Sequence, residues 1–412
     1  MTGPETGRLS TPRMLLYSAA SAGTGAFYAF NNFVLPPILH GFGASNLVIG
    51  LLSSTRSIEG ALIQPTIGAL SDRTWTPLGR RRPFLIVGVP LAALFLVTAA
   101  GAGGLVPLAV AIVLFSIFFN VAADPYAALL PDITPVHQRG LLSGLSTAVQ
   151  LVSQVSFLLL VASVSTQGVP AWAYGLVAAV LVVSFGLTVV GIPERRQLDL
   201  EHERLPLRAY LGAVLEHRQA VRYLLTIFVY TLGLNAILPY LVLFITDDIH
   251  ASEQTGFFLS AVLLLVMALS AIIFGRLADR LGARRVLAFG WGLLAVCAAG
   301  GVVVQTLPQT AVVVVLAGIG NGAATAVAWP LLTMLIPPEK TGIFAGLKAA
   351  SESVAIPLSV VIASEVFLPT LGYRGIFAML AVNIVLALVL LLRFVRVSAE
   401  ADEAVPVLAG RA

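Results

Sequence analysis

Charged residues are scarce in this sequence. They make up only 11% of its 412 residues, whereas hydrophobic residues make up 58% and the mean hydropathy is +0.95. About a quarter of the residues of a typical soluble domain are charged, because its surface must be solvated by water. The composition therefore excludes a soluble globular protein and predicts one that lies in a lipid bilayer.

Cysteine is scarcer still. The only one, Cys297, lies in an apolar run, so neither a disulfide framework nor a thiolate metal site can form. The sequence also has no GxxxxGK[ST] phosphate-binding loop, no metal-ligand cluster and no nucleophile triad. These absences predict that the protein is not an enzyme and uses neither a cofactor nor a metal. Without a nucleotide-binding loop, any work that the protein performs must draw on an ion gradient or on the gradient of a solute.

Long apolar runs are abundant. Each is close to the roughly 20 residues that a helix needs to cross a bilayer, and the alternating pattern of a membrane barrel is missing. The sequence therefore predicts an all-α membrane protein with twelve transmembrane helices, of which the fourth and tenth are interrupted by prolines. The predicted spans are 14–40, 47–70, 83–102, 106–130, 140–164, 170–192, 219–246, 253–278, 286–306, 310–335, 341–366 and 375–395.

The basic residues mark one side of the membrane. Of the 24 Lys and Arg residues, only Arg374 falls on the opposite side when the amino terminus is placed in the cytoplasm, while Arg56 and Lys348 fall within spans. Cytoplasmic loops carry such an excess of positive charge. The pattern predicts a multi-pass protein of the cell membrane with both termini cytoplasmic. The basic residues then contact lipid head groups, and nucleic acid is excluded as a partner.

The chain reads as two halves joined by its only long hydrophilic connection. The predicted segments are a cytoplasmic N-terminus (1–13), a first six-helix half (14–192), a linker (193–218), a second six-helix half (219–396) and a cytoplasmic tail (397–412).

Motifs recur in the same order in both halves. The segment GALIQPTIGALSDRTWTPLGRRRPF at 60–84 returns, shortened, as GRLADRLGARR at 275–285. Asn32 and Pro36 of the first span match Asn235 and Pro239 of the seventh. This order predicts a duplication, and with six spans per half both copies keep the same orientation in the membrane.

These features resemble the major facilitator superfamily, which has twelve spans in two halves with loops of the DRxGxRR type after spans two and eight. The string QPTIGALSDRTWTPLGRRRPF at 64–84 is more specific and resembles the signature of sucrose:proton symporters. The related glycoside/pentoside/hexuronide:cation symporters have a similar loop, and DPYAALLPDITPVHQRG at 124–140 resembles one of their patterns. The resemblance covers about residues 15–395. It implies the major facilitator fold with its pseudo-two-fold axis, and transport by alternating access.

Two departures from these family patterns concern the coupling ion. The sucrose-type pattern has an arginine where this chain has Ala127. The glycoside symporters hold sodium with two aspartates in the second span, where this chain has Glu59 nearby and Gln64 aligned with the second. A sodium site needs several oxygen ligands, whereas a proton needs a single titratable acid. The departures therefore favour a proton as the coupling ion.

Three charged residues inside spans are candidates for proton coupling. Arg56 and Glu59 lie one turn apart in span two, and Asp124 precedes Pro125 in span four. Charges at such depth are costly and usually face a partner or a water-filled cavity. Glu59 and Asp124 could carry the proton. Alternatively, Arg56 and Glu59 form a structural pair, and Asp124 caps or joins helices.

A neutral sugar requires hydrogen-bonding groups and an aromatic face. The chain offers both within its spans, although amides and tyrosines also join membrane helices to one another. Lys348 and Glu352 are spaced to pair with each other or to bind a polar solute. The predicted solute-binding residues are Tyr28, Asn31, Asn32, Gln64, Gln150, Gln154, Asn235, Tyr240, Asn321, Trp329, Lys348 and Glu352, with Tyr230 as a further candidate.

The arginine-rich loops are better suited to gating than to solute binding. An aspartate at the end of a span can bond to nearby arginines or to a helix amino terminus and so hold the cytoplasmic side in one state. The predicted gating residues are Asp72, Arg73, Arg80, Arg81, Asp132, Asp279 and Arg280.

The leading hypothesis is a proton-coupled symporter of a small polar solute, a sugar or glycoside, that functions as a monomer. One alternative is proton-coupled efflux of drugs or amphiphiles. Such exporters have a proline in a glycine-dense fifth span and an arginine in the fourth, and this sequence has neither. The other alternative is a membrane assembly factor that shares the fold without transporting anything.

Overall fold

A computed structural model describes residues 9–54, 63, 66–68, 70–71, 74–165, 169–192, 194, 214, 216–337 and 340–396. Nearly all of these residues are helical. Within these ranges there is no β-sheet, only one isolated bridge between Thr76 and Gly79. The predicted all-α fold is confirmed. The chain divides into two compact units, residues 1–200 and 201–412.

The first unit has six helices among its described residues. The first, Thr11–Ala29, continues through a π-helical turn (Phe30–Val34) into a short helix (Leu35–Gly41). Ser45 caps the second, Asn46–Leu52, by accepting a hydrogen bond from the Val48 N–H at 3.4 Å. The helices are α1 (Thr11–Ala29), α2 (Asn46–Leu52), α3 (Arg82–Ala100), α4 (Leu105–Ile133), α5 (Val136–Val164) and α6 (Trp172–Gly191).

The second unit repeats this arrangement. Its first helix is followed by a 3₁₀ turn (Leu238–Tyr240) and a π-helical turn (Phe244–Asp248). Its fifth continues through another π-helical turn (Ala363–Phe367). The helices are α7 (Arg218–Leu234), α8 (Glu253–Leu281), α9 (Ala283–Val303), α10 (Leu307–Thr333), α11 (Thr341–Ile362) and α12 (Tyr373–Phe394). Where the predicted spans fall on described residues, their boundaries lie within a few residues of these helices or, for spans one, seven and eleven, of the short helical turns that follow them.

Corresponding helices pack against each other within each unit. In the first unit α1 packs on α5 and α6, and α3 packs on α4 and α6. In the second unit α7 packs on α11 and α12, and α9 packs on α10 and α12. The two units therefore bury equivalent helix faces, as a duplicated half predicts.

The outer faces of the helices are apolar. Val106, Val190 and Val382 are 72%, 82% and 67% exposed. Among the described residues, nine segments are long and apolar enough to cross a membrane. Apolar side chains on the outside are stable only in lipid. The chain is a multi-pass membrane protein.

Hydroxyl groups join the helices inside each unit. Thr188 Oγ1 of α6 donates to the Leu16 carbonyl at 2.7 Å, and Ser153 Oγ of α5 donates to the Ala22 carbonyl at 2.6 Å. In the second unit, Ser359 Oγ of α11 donates to the Leu232 carbonyl at 2.5 Å. Hydrophobic burial does not drive association between helices in lipid, so close packing and such hydrogen bonds take its place.

Prolines explain where the first helix of each unit is interrupted. A proline ring clashes with the carbonyl four residues earlier, which is that of Asn32 for Pro36 and that of Asn235 for Pro239. At Asn32 the helix widens into a π turn, in which Leu35 N–H bonds to the Phe30 carbonyl. At Asn235 helix α7 ends. The repeated Asn-x-x-x-Pro spacing therefore places an asparagine at an interruption in both units.

Candidate functional site

A polar cavity lies inside the second unit, among α7, α9, α10 and α11. Its volume is about 460 Å³. It is lined by five of the predicted solute-binding residues, together with aromatic, hydroxyl-bearing and apolar side chains. The five are Asn235, Asn321, Trp329, Lys348 and Glu352.

The charge of this cavity comes from an ion pair within α11. Lys348 Nζ donates to Glu352 Oε1, one helical turn away. The two side chains are 25% and 19% exposed, and both line the cavity. The pairing offsets the cost of placing each charge in a membrane-spanning helix. Ammonium N–H groups are donors and carboxylate oxygens are acceptors, so this pair offers both kinds of partner to a hydroxyl-rich solute.

Tyr230 connects two walls of the cavity. Its hydroxyl, on α7, donates to Asn321 Oδ1 of α10 at 2.9 Å. Asn321 Nδ2 in turn donates to Met267 Sδ at 3.2 Å, which is a weak acceptor. The ring of Tyr230 stacks on that of Trp291 of α9, with centroids 5.0 Å apart and the planes 23° from parallel. These contacts fix the orientation of one phenol and one amide at the cavity wall.

Trp291 is a cavity residue that the sequence analysis missed. It is fully buried, and the ring of Tyr230 stacks on it. A tryptophan in the otherwise small and apolar segment around it was the signal available in the sequence. Its partner, Tyr230 on α7, could not be identified without the arrangement of the helices in space.

Asn235 lies where α7 ends. Its Nδ2 donates to the Thr231 carbonyl at 3.2 Å, one of the carbonyls at the end of the helix. The side-chain oxygen is left as an acceptor at the cavity wall. Tyr240, predicted as solute-binding, does not line this cavity. It is fully buried, and its ring centroid is 6.4 Å from that of Tyr373.

The predicted amides of the first unit lie on two neighbouring helices. Asn31 and Asn32 belong to the π turn that follows α1 and are 4% and 8% exposed, and Gln154 on α5 is 6% exposed. Asn31 Nδ2 is buried and forms no hydrogen bond with any described residue. Gln150 lies one turn before Gln154, where α5 passes close to Gly25. Tyr28 is half-buried, and its ring centroid is 5.2 Å from that of Phe27.

Of the three predicted coupling residues, only Asp124 lies in the described part of the chain. Asp124 lies in α4 directly before Pro125, and the helix continues past this proline to Ile133. The Asp124 side chain is half-buried and has an interaction partner. Arg56, Glu59 and Gln64 lie outside the described residues, as do Asp72 and Arg73 of the gating set.

The arginine loop before α3 is held by two acids. Arg80 Nη2 and Arg81 Nε both bind Asp132 Oδ2 of α4, at 2.7 and 3.2 Å. The backbone N–H groups of Arg80, Arg81 and Arg82 donate to the carboxylate of Glu194 at 2.7–3.0 Å. These groups are the free donors at the start of α3, where a negative charge is favoured.

The predicted gating residues of the second unit, which match Asp72 and Arg73 in the repeat, are not paired in this way. Asp279 and Arg280 are exposed at the end of α8, and neither forms an ion pair with a described residue.

The sequence analysis missed Glu194, which lies in the stretch read as a linker. A lone acid in a charged stretch gives no signal that it binds backbone groups more than a hundred residues earlier.

Glu194→Ala is expected to reduce the stability of the first unit. The substitution leaves three backbone donors without their acceptor, and a partly buried donor without a partner costs about 1–3 kcal/mol. Thermal unfolding in lipid nanodiscs should show the loss.

Glu216→Ala is the matched control, because Glu216 is 69% exposed and binds one side chain, Lys340, at 3.0 Å. That hydrogen bond and the lysine charge lower the pKa of Glu216. We expect no measurable change for the control. Equal stability of both variants would contradict the assigned role of Glu194.

The sequence matches the family described as MFS/sugar transport protein over residues 16–395. Lactose permease from Lactobacillus helveticus is 26% identical over 251 residues, which cover 54% of this chain and 38% of that permease. Sucrose transport protein SUT4 from Oryza sativa subsp. indica is 31% identical over 100 residues, which cover 24% of this chain and 17% of SUT4. The chain spans less than half of the length of these curated relatives.

Solved structures show the same fold. A variant of the nucleoside transporter NupG has a TM-score of 0.74 and 11% identity, with 92% of this chain and 98% of that chain covered. A bacterial homologue of the human lysosomal transporter Spinster, inward-facing and occupied, has a TM-score of 0.65 and 15% identity, with 97% and 95% covered. At these identities the likeness concerns the fold alone.

Proposed function

This chain belongs to the family of MFS/sugar transport proteins, and from that premise we propose that it carries a sugar or glycoside into the cell together with a proton. The observation that carries the proposal is the polar cavity of the second unit, with its amides, tryptophans and ion pair. The named relatives transport lactose and sucrose, and a neutral sugar is the class of solute that such a cavity suits.

The cavity offers both kinds of contact that a sugar needs. Asn235, Lys348 and Glu352 supply donors and acceptors for hydroxyl groups. Trp329, which is 38% exposed, supplies an aromatic face for the apolar side of a sugar ring. The lysine and the carboxylate neutralise each other, so the cavity presents little net charge to a neutral solute.

We assign proton coupling to the acids of the first unit, Glu59 and Asp124, with Arg56 as the partner of Glu59. Lys348 and Glu352 form an ion pair with each other, whereas Asp124 directly precedes Pro125, whose missing N–H leaves a helix carbonyl without its usual donor. We assign gating to charged residues of the two arginine loops and to the acid of α4 that binds one of them. These residues are Asp72, Arg73, Arg80, Arg81, Asp132, Asp279 and Arg280. Ion pairs such as Arg80 with Asp132 can break and re-form as transport proceeds by alternating access.

Uptake into proteoliposomes tests the proposal. Purified protein is reconstituted at less than one chain per vesicle, a proton gradient directed inward is imposed, and labelled lactose, sucrose and methyl glucosides are supplied. We expect accumulation of at least one sugar, which collapses when a protonophore is added, at a rate per chain that does not depend on protein density. If every sugar equilibrates or none enters, proton-coupled sugar import is ruled out. An uptake rate per chain that rises with protein density would instead exclude a functional monomer.

Asp124→Asn and Glu59→Gln are expected to abolish accumulation of the sugar while leaving exchange of labelled for unlabelled sugar intact. During exchange the carrier crosses the membrane with sugar bound in both directions, so exchange needs no net movement of protons. Accumulation does need a net movement of protons, because the proton gradient drives it. Counterflow and gradient-driven uptake in the same vesicles separate the two. Glu365→Gln, which changes an exposed acid in the π turn after α11, is the control and should leave both activities unchanged. Normal accumulation by the Asp124→Asn, Glu59→Gln double variant would exclude both acids as coupling residues.

A further inference from the structure

An apolar pocket of about 70 Å³ lies next to the polar cavity in the second unit. Its walls come from the end of α7 and the segment after it, and from α8, α9, α10 and α12. Nearly all of its lining is aliphatic or aromatic, as at Leu241, Phe244 and Leu294. The hydroxyl of Thr310, which also lines it, is satisfied by the Thr306 carbonyl at 3.0 Å. A pocket of this composition holds water poorly and can take an apolar group.

The pocket and the cavity share two wall residues, Leu234 and Asn321. Along α9, Trp291 lines the polar cavity, and Leu294 and Ala298 line the apolar pocket. The two spaces are thus consecutive along α7, α9 and α10. The amide of Asn321, held by Tyr230 on one side and by the weak acceptor Met267 Sδ on the other, stands at the boundary between them.

We propose that the apolar pocket binds the aglycone of a glycoside whose sugar ring occupies the polar cavity. This proposal rests on the function proposed above and narrows its substrate class to glycosides with a small apolar group. The sugar hydroxyls bind the amides and the ion pair, and the apolar group passes Leu234 and Asn321 into the pocket. Each methylene group buried there should strengthen binding about fourfold.

The test compares methyl and n-propyl β-glucosides, and the same pair of galactosides, by their dissociation constants in lipid nanodiscs free of alkyl glycoside detergent. The propyl compound of at least one pair should bind on the order of tenfold tighter, as two additional buried methylene groups predict. Ala298→Leu and Ala317→Leu fill the pocket and should bring the ratio of the two constants towards one without changing the methyl value. Val296→Leu is the control, because Val296 is on α9 but 67% exposed on its outer face. This variant is measured in the same nanodisc lipids as the others, and it should keep the native ratio of the two dissociation constants.

The outcomes separate this proposal from the one on which it rests. If methyl glycosides bind and are transported but filling the pocket leaves the ratio unchanged, the aglycone site is wrong and sugar transport stands. Entry of a lipid chain instead of an aglycone would give that same result. If no glycoside binds, both proposals fail. If the filled variants lose methyl glycoside binding, Leu294→Ala provides the test, because it enlarges the pocket. It should raise the ratio of the methyl to the longer glycoside's dissociation constant above the native value. An unchanged ratio would refute the aglycone site.

Discussion

Replacing Lys348 with methionine is expected to destabilise the second unit by about 2 kcal/mol and to abolish sugar uptake. The substitution removes the lysine that binds the carboxylate of Glu352 within a membrane-spanning helix. Breaking a fully buried ion pair from one side costs about 3–5 kcal/mol. The Lys348 and Glu352 side chains are 25% and 19% exposed to the cavity, so water recovers part of that cost. Thermal unfolding in nanodiscs and counterflow in proteoliposomes measure the two effects.

The double variant Lys348→Met, Glu352→Gln separates stability from binding. With both charges removed no ion remains unpaired, so most of the lost stability should return. Uptake should not return, because the cavity has lost its charged donors and acceptor. Lys340→Met is the matched control, since Lys340 pairs with the exposed acid Glu216, and it should change neither property. Recovery of uptake in the double variant would show that the pair only holds α11 in place and does not bind the solute.

The fold could be predicted from the sequence because few physical rules decide it. A helix in lipid needs about 20 apolar residues, and an excess of arginine marks its cytoplasmic end. The interruptions that follow α1 and α7 were not predicted from the sequence, although a proline lies four residues after Asn32 and four residues after Asn235. The prolines of α4 and α10 do not end those helices, which continue to Ile133 and Thr333. The family that the arginine loop indicated is confirmed.

The candidate site could be predicted only in part, because the sequence gives the residue types but not the faces that meet. Lys348 and Glu352 pair as their spacing within one helix predicts. The stacking of Tyr230 on Trp291 and the binding of Glu194 to the arginine loop join distant parts of the chain, and no local pattern specifies them. The roles predicted for Glu59, Arg56 and Gln64 remain predictions, since these residues lie outside the described ranges.

Helix α1 approaches α5 so closely at Gly25 that alanine is expected to separate the two helices. A Cβ atom at position 25 would lie 2.3 Å from the Gln150 carbonyl oxygen and 2.9 Å from Ser153 Cβ. Backbone cannot move aside as a flexible side chain can, so α5 must shift. The shift would stretch the bond from Ser153 Oγ to the Ala22 carbonyl and move Gln150 and Gln154, the two predicted solute-binding residues of α5.

Gly25→Ala is therefore expected to lower the free energy of unfolding by about 1–3 kcal/mol and to reduce uptake sharply. In a helix with open space the same change should be neutral or stabilising, because alanine favours helix by up to about 1 kcal/mol over glycine. Gly144→Ala provides that comparison, since Gly144 is also on α5 and a Cβ there meets nothing within 4 Å. Thermal unfolding and counterflow of both variants would measure the difference. A Gly25→Ala protein as stable and as active as Gly144→Ala would show that α1 and α5 can separate without cost, and that the position of Gln150 and Gln154 does not matter for uptake.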